Sequence, residues 1–182
     1  MENIQETRRE PRYWGSRPDK NALPMFWDEI LKENLRQGWG YDQSQDLRLI
    51  FEEEKKGGEW WKRLSQPQID AYRNYPFYPG WGDDTIRKDD IVLVPNLPTY
   101  GYFVLLKVLD DEYRFEIVEG DYGHCRNIKL LTPDGIANDY EHVSGAVRST
   151  LKCRSRIWRI DQNIGENLHY VLQAMSELPP TV

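Results

Sequence analysis

Gly38, Trp39, Gly40 and Tyr41 stand in a row within residues 35–48 (LRQGWGYDQSQDLR), and Gln43, Gln45, Asp46 and Arg48 follow within one or two helical turns. Glycines on either side of a large aromatic permit backbone φ values and close approaches that other residues resist. Trp39 and Tyr41 offer flat amphipathic faces, and the Gln45 amide and Asp46 carboxylate offer directional hydrogen bonds. Faces combined with donors and acceptors suit a pocket for a planar polar ligand. The same residues also read as a turn whose tryptophan plugs the core.

A second motif, Asp121-Tyr122-Gly123-His124, follows an expected strand. It reads as a loop closing over that pocket, or as an ordinary turn whose His124 is satisfied by hydrogen bonds. Thr99-Tyr100-Gly101-Tyr102 presents aromatics on a turn or serves as a structural plug. Patterns for catalysis are missing: His124, His142 and His169 have no nucleophile in a strained turn beside them, and no HExxH or P-loop occurs. Residues 52–56 (EEEKK) can be stretched to the acid-plus-lysine set of a nuclease, but they fit the polar end of a helix better. Cys125 and Cys153 have neither a CxxC partner nor a histidine at zinc spacing. The expectation is a non-catalytic chain with no metal and no cofactor, in a reducing cytoplasm.

Loop aromatics need something to act on, and charge narrows the choice. The net charge of -6 argues against indiscriminate nucleic-acid binding, yet residues 126–159 run the other way, with seven basic residues against three acids. Those charges form one basic face, or else alternate around ordinary solvated elements. With 7 Trp and 11 Tyr, many aromatics must be core, but several lie in loops beside Gly or Pro. There they could stack on bases, cage a methylammonium group, or form a protein hot spot.

The elements that must position these groups follow from periodicity. The 182 residues, 39% hydrophobic and 30% charged, suit one domain with a true core; no run of about 18 apolar residues suggests a membrane span, and the polar start lacks a secretory h-region. A loose arm is expected over residues 1–10 and a first strand over 12–17. A helix over 22–34, capped by Asn21, would bury Phe26, Trp27, Ile30, Leu31 and Leu35. A second helix runs from Gln43 to Gly57-Gly58, Trp60 and Trp61 make a short turn, and Ser65-Gln66-Pro67-Gln68 has the form of a capping box. Residues 74–81 (NYPFYPGW) read as a rigid extended loop. Strands are expected at 91–94, 102–109, 113–118, 127–131 and 157–160, with helices at 141–151 and 164–177, the latter capped by Asn163 and Glu166.

The order of these features resembles a known family. A Tyr13-Trp14 strand, a helix, a Gly-Trp-Gly turn followed by Gln and Asp46-Leu47-Arg48, and a charged Lys88-Asp89-Asp90-Ile91-Val92 lead-in to barrel strands are similar to the EVE branch of the PUA-like superfamily, itself similar to the YTH readers. That family has a YW strand, a W-x-G-V-R-N-type turn and an L-R-x-x-x-x-G-D lead-in, in that order. The chain looks most like variants attached to bacterial modification-dependent restriction and other defence proteins, over residues 12–160. It departs from the pattern in having G-W-G-Y for G-V-R-N, Asp89 for the lead-in glycine, and an aromatic-rich helical insertion at 55–84.

The resemblance implies one α+β domain over residues 11–178, a small PUA-like β-barrel of about five or six strands flanked by helices. It implies a pocket for a modified base flipped out of duplex DNA. Trp39 and Tyr41 would stack on the base or wall it, and Gln45 and Asp46 would read its edge, as a carboxylate can accept from an exocyclic amine. Trp14, Trp81 and Tyr102 would complete the cage, with His124 in the closing loop. Arg36, Arg148, Lys152, Arg154 and Arg156 would hold phosphates, which fixes register rather than specificity. The implied partners are modified DNA and a nuclease or other effector, in restriction or phage defence. The rival reading is a protein-interaction module that grips a partner with its aromatic loops.

Overall fold

The computed structural model describes residues 9–177, so most of the expected arm and the last residue of the expected domain lie outside the described residues. Among the described residues seven strands form: β1 (Tyr13–Ser16), β2 (Asn34–Gln37), β3 (Ile91–Pro95), β4 (Tyr102–Phe115), β5 (His124–Leu130), β6 (Ile136–Ala137) and β7 (Ile157–Ile160). Five α-helices accompany them: α1 (Leu23–Leu31), α2 (Leu47–Lys55), α3 (Gln66–Tyr72), α4 (Gly145–Thr150) and α5 (Gln162–Glu177). The strands make one mixed sheet in the order β2-β5-β4-β3-β1-β7, with β6 paired to β4. The β1–β3 pair is parallel and the other described pairs are antiparallel.

Both faces of the central strands are covered, which is why β3 and β4 read as continuous apolar runs. Val92, Val94, Val104, Leu106 and Val108 join Trp14, Ile30, Leu35, Leu47 and Ile50 in one core. Leu93, Phe103 and Leu105 point the other way, into a core with Tyr13, Val147, Ile160, Leu168 and Val171. The expected barrel is not closed, because the path of strands is open and no ladder joins β2 to β7 among the described residues. The sheet still coils, and Ser16 Oγ of β1 reaches Gln37 Oε1 of β2 at 3.4 Å.

Several elements differ from expectation, each for a local reason. The first helix stops at Leu31, because Glu33 takes φ +65° and turns the chain into β2. Leu35 is therefore buried by strand register opposite Arg126 and not by helical spacing, and Leu31 is 57% exposed. Asp19, not Asn21, caps the opening turn by accepting from the Asn21 N–H. The second helix is a 3-10 turn, Gln43–Gln45, followed by α2. Residues 74–81 make two 3-10 turns, Tyr75–Phe77 and Pro79–Trp81, and not an extended loop. The two strands expected at 102–118 are a single strand of 14 residues, with a register shift between Val108 and Tyr113. The helix at 141–151 shrinks to α4, capped by Ser144, and α5 begins at Gln162, so Asn163 and Glu166 lie inside it.

Two buried charges tie the insertion and β1 to the sheet. Asp90 accepts from the N–H groups of Arg12 and Arg87 (both 2.9 Å) and from Trp14 Nε1 (3.0 Å), and pairs with Arg9 at 2.5 Å. Arg126 is fully buried and donates to the carbonyls of Phe77 (3.0 Å), Ile86 (2.7 Å) and Asp110 (2.8 Å). Burial lowers its pKa to about 10. Among the described residues no helix is long and apolar enough to cross a membrane.

Candidate functional site

The Gly-Trp-Gly turn leaves the end of β2 and is zipped to the loop before β5. Gly40 N donates to Asp121 Oδ1 (2.7 Å), and Gly123 N donates to the Gly40 carbonyl (3.1 Å). A Cβ on Gly40 would lie 2.6 Å from the Gly123 nitrogen, so only glycine permits this approach. The insertion secures the other side, where Asn74 Nδ2 donates to the Gly38 carbonyl at 2.7 Å.

His124 holds the turn from beneath. Its Nε2 lies 3.1 Å from the Trp39 carbonyl, an acceptor, so Nε2 carries the proton. Nδ1 is then the acceptor for the Tyr113 hydroxyl at 2.8 Å, and that hydroxyl in turn accepts from the Leu47 N–H at 3.3 Å. Burial lowers the His124 pKa to about 4, so the ring is neutral near pH 7.

Held in this way, Trp39 adopts φ +60° and Tyr122 adopts φ +57°. A left-handed backbone is a genuine outlier for a bulky residue. These are the two aromatics among the described non-glycine residues with positive φ, and both line one cavity with Asp19, Gln37, Asp121 and Arg156. The Arg73 and Arg156 guanidiniums lie 5.4 and 5.5 Å from the Trp39 ring centre. Arg156 also pairs with Asp19 at 3.1 Å, and the Asn21 N–H together with Arg156 keeps Asp19 below the usual carboxylate range. The cavity measures about 40 Å³, room for little more than one water.

The residues expected to form the site are divided. Trp39 lies at the cavity, whereas Tyr41 is 47% exposed beside the turn. Gln45 is fully buried, with Oε1 accepting from the Tyr41 and Asp42 N–H groups and Nε2 donating to the Pro67 carbonyl. Asp46 caps α2 through the Arg48 N–H and is chelated by the Arg48 guanidinium. Both are thus occupied in shaping the turn. Trp14 is core, bonded to Asp90 with Arg159 over its ring. Trp81 belongs to the aromatic cluster of the insertion with Phe51, Tyr72 and Tyr78, and bonds Glu54. Tyr102 begins β4, opposite Ala137 and away from the turn.

The basic segment is not one face. Arg126 is core, Arg159 lies over Trp14, and Arg156 covers Trp39. Arg36 is buried, bonded to Glu29 at 2.8 Å and to the Glu116 carbonyl. Arg148, Lys152 and Arg154 line a separate cleft with Arg17, whose N–H donates to the Arg156 carbonyl at 2.8 Å. The EEEKK stretch ends α2 with Lys55–Glu52 and Lys56–Glu53 pairs. No group of three His, Cys, Asp or Glu able to hold a metal occurs among the described residues.

Sequence reasoning overlooked Asp19, Gln37, Arg73 and Arg17, which carry no motif of their own and reach these sites only through tertiary contacts. Asp121 and Tyr122 were signalled by the Asp-Tyr-Gly-His turn. Comparison with protein-family models and with curated proteins finds no match to this chain.

Proposed function

We propose that the protein is a non-catalytic nucleic-acid-binding module that recognises a modified base flipped out of DNA, at Trp39. The reading draws on the resemblance to EVE and other PUA-like domains, including their small barrel, and carries with it a cytoplasmic role in restriction or phage defence beside an effector. The observation that supports it best is the pair of left-handed aromatics, Trp39 and Tyr122, lining one cavity with Arg156, whose guanidinium lies against the Trp39 ring. Such conformations cost about 1–3 kcal/mol each and gather at binding sites.

A base reaches Trp39 only if Arg156 swings away, because the cavity is smaller than a nucleobase. The Arg156–Asp19 pair is partly exposed, at 34% and 39%, and such a pair is worth about 0–1 kcal/mol. The arginine–tryptophan contact adds about 0.5–1 kcal/mol. Stacking a base returns about 1–3 kcal/mol, so the exchange is close to balanced, and the released guanidinium is free to take a phosphate. With Gln45 and Asp46 occupied, the base edge falls to two other side chains of the cavity lining: Gln37 through its Nε2, since its Oε1 takes the Ser16 hydroxyl, and Asp121 through the carboxylate oxygen not bonded to the Gly40 N–H.

The test is fluorescence binding to matched duplexes carrying cytosine, 5-methylcytosine, 5-hydroxymethylcytosine or N6-methyladenine, at two salt concentrations. The expected result is salt-sensitive preference for one modified duplex, lost in Trp39→Ala. Equal binding across the panel, or none, refutes base recognition for those modifications. A protein-interaction module is the second reading, favoured by exposed Leu49, Trp61 and Ile69 on the insertion and its flanks. It predicts no DNA shift and a flat salt dependence, since phosphate binding must weaken as salt rises.

A further inference from the structure

A cleft that meets the Trp39 cavity where the Arg17 backbone pairs with that of Arg156 measures about 710 Å³, within the range of roughly 300–1,000 Å³ usual for small-molecule sites. Its walls carry Arg17, Arg148, Lys152 and Arg154 against one acid, Asp139, in a chain whose net charge is negative. Two of the cations are anchored: Arg17 donates to the Leu151 and Cys153 carbonyls, and Arg148 donates to those of Asn138 and Tyr140. The Lys152 ammonium and the Arg154 guanidinium have no hydrogen-bond or ion-pair partner among the described residues. Tyr100 stands in the lining at 87% exposure, more than any other large apolar side chain described. Packing gives no reason for an aromatic ring there. Asn138, also in the lining, has a buried Oδ1 without a partner.

We propose that this cleft is a second nucleotide subsite, which takes an unpaired nucleotide next to the recognised base. The Tyr100 ring stacks on that base, Lys152 and Arg154 hold its phosphate, and the Asn138 amide faces its polar edge. The inference rests on the base-recognition reading above, because the Arg17–Arg156 backbone bond joins the cleft to the residue that covers Trp39. A strand whose base enters the Trp39 cavity continues along the cleft. Stacking on an exposed ring with free cations alongside is the usual apparatus for single strands, and it tolerates sequence because every base has a π-face.

The experiment measures anisotropy of a labelled single-stranded 12-mer of thymidine, and of modified and plain duplexes, with the full chain. Its variants are Tyr100→Ala, Tyr100→Phe, the Lys152→Ala/Arg154→Ala double and Trp39→Ala. Tyr100→Ala is expected to weaken single-strand binding by about 5- to 150-fold, the equivalent of losing one stacked base, and Tyr100→Phe to retain it. The double variant lowers the salt slope by about 0.7 for each lost contact. Unchanged binding by Tyr100→Ala, or no single-strand binding by the parent, overturns the subsite. Failure of the base reading looks different: the modified duplex loses its advantage over the plain one while the Tyr100 dependence on single strands persists.

Discussion

His124 makes the Gly-Trp-Gly turn sensitive to acid in a narrow window. Its pKa is near 4 in the folded protein, and the unfolded chain has the ordinary value of about 6.5. As pH falls, the unfolded chain takes up the proton first, so the stability due to the neutral ring is full above pH 6.5 and is lost towards pH 4. Between pH 7 and 4.5 the loss amounts to about 2.5 kcal/mol. Lowered carboxylates such as Asp19 lose their contribution only as pH falls through the carboxylate range, so they add little above pH 4.5. Urea denaturation at pH 7.0, 6.0, 5.0 and 4.5 measures the effect, which at slopes of about 2–3 kcal/mol/M moves the midpoint by roughly 1 M. His124→Gln keeps a donor for the Trp39 carbonyl but cannot titrate, so its curve should be nearly flat over the same range. A flat wild-type curve, or an equal slope in the Gln variant, would refute the assignment of a buried neutral imidazole.

Arg126→Met should destabilise the fold by about 3–5 kcal/mol in the same urea assay, because the buried carbonyls of Phe77 and Ile86 and the half-buried one of Asp110 lose their donor. Limited proteolysis should then cut first within residues 74–86, which those bonds fasten to the sheet. Asp90→Asn should cost about 3 kcal/mol or more, since the amide replaces a carboxylate that accepts from Arg12, Trp14 and Arg87. A change under 1 kcal/mol in thermal or urea unfolding would show that these donors find other partners.

Local signals made much of the fold legible. Tyr13-Trp14 marked β1, Ser65-x-x-Gln68 marked the start of α3, and the strands expected at 91–94 and 157–160 followed from short apolar runs, the first extending one residue further to Pro95. Leu35 satisfies a helical and a strand register alike, and only pairing with Arg126 decides between them. Gln45 and Asp46 carried a readable signal of their own. Asp42-x-x-Gln45 is a capping pattern, and an Asp before an apolar run is a helix cap, so local backbone had first claim on both side chains. The division of the basic segment was not legible, since residues 152–159 point to a cleft, to Trp39 and to Trp14 in turn. Arg126 gave no sign of burial, because its acceptors are brought together only by the fold: Phe77 and Ile86 from far along the chain, and Asp110 from the register shift of β4.

The place of β1 in the sheet has a consequence for how the chain reaches this form. Tyr13 pairs with Ile91 on one side and with Ile160 on the other. Every ladder bond of β1 therefore waits on segments far along the chain, and closing such large loops slows folding. Until β3 and β7 exist, Tyr13 and Trp14 stand uncovered on an unpaired strand, a ready template for another chain. A ribosome-bound intermediate that stops before residue 157 would have one edge of β1 open, and it is there that chaperone contacts should concentrate.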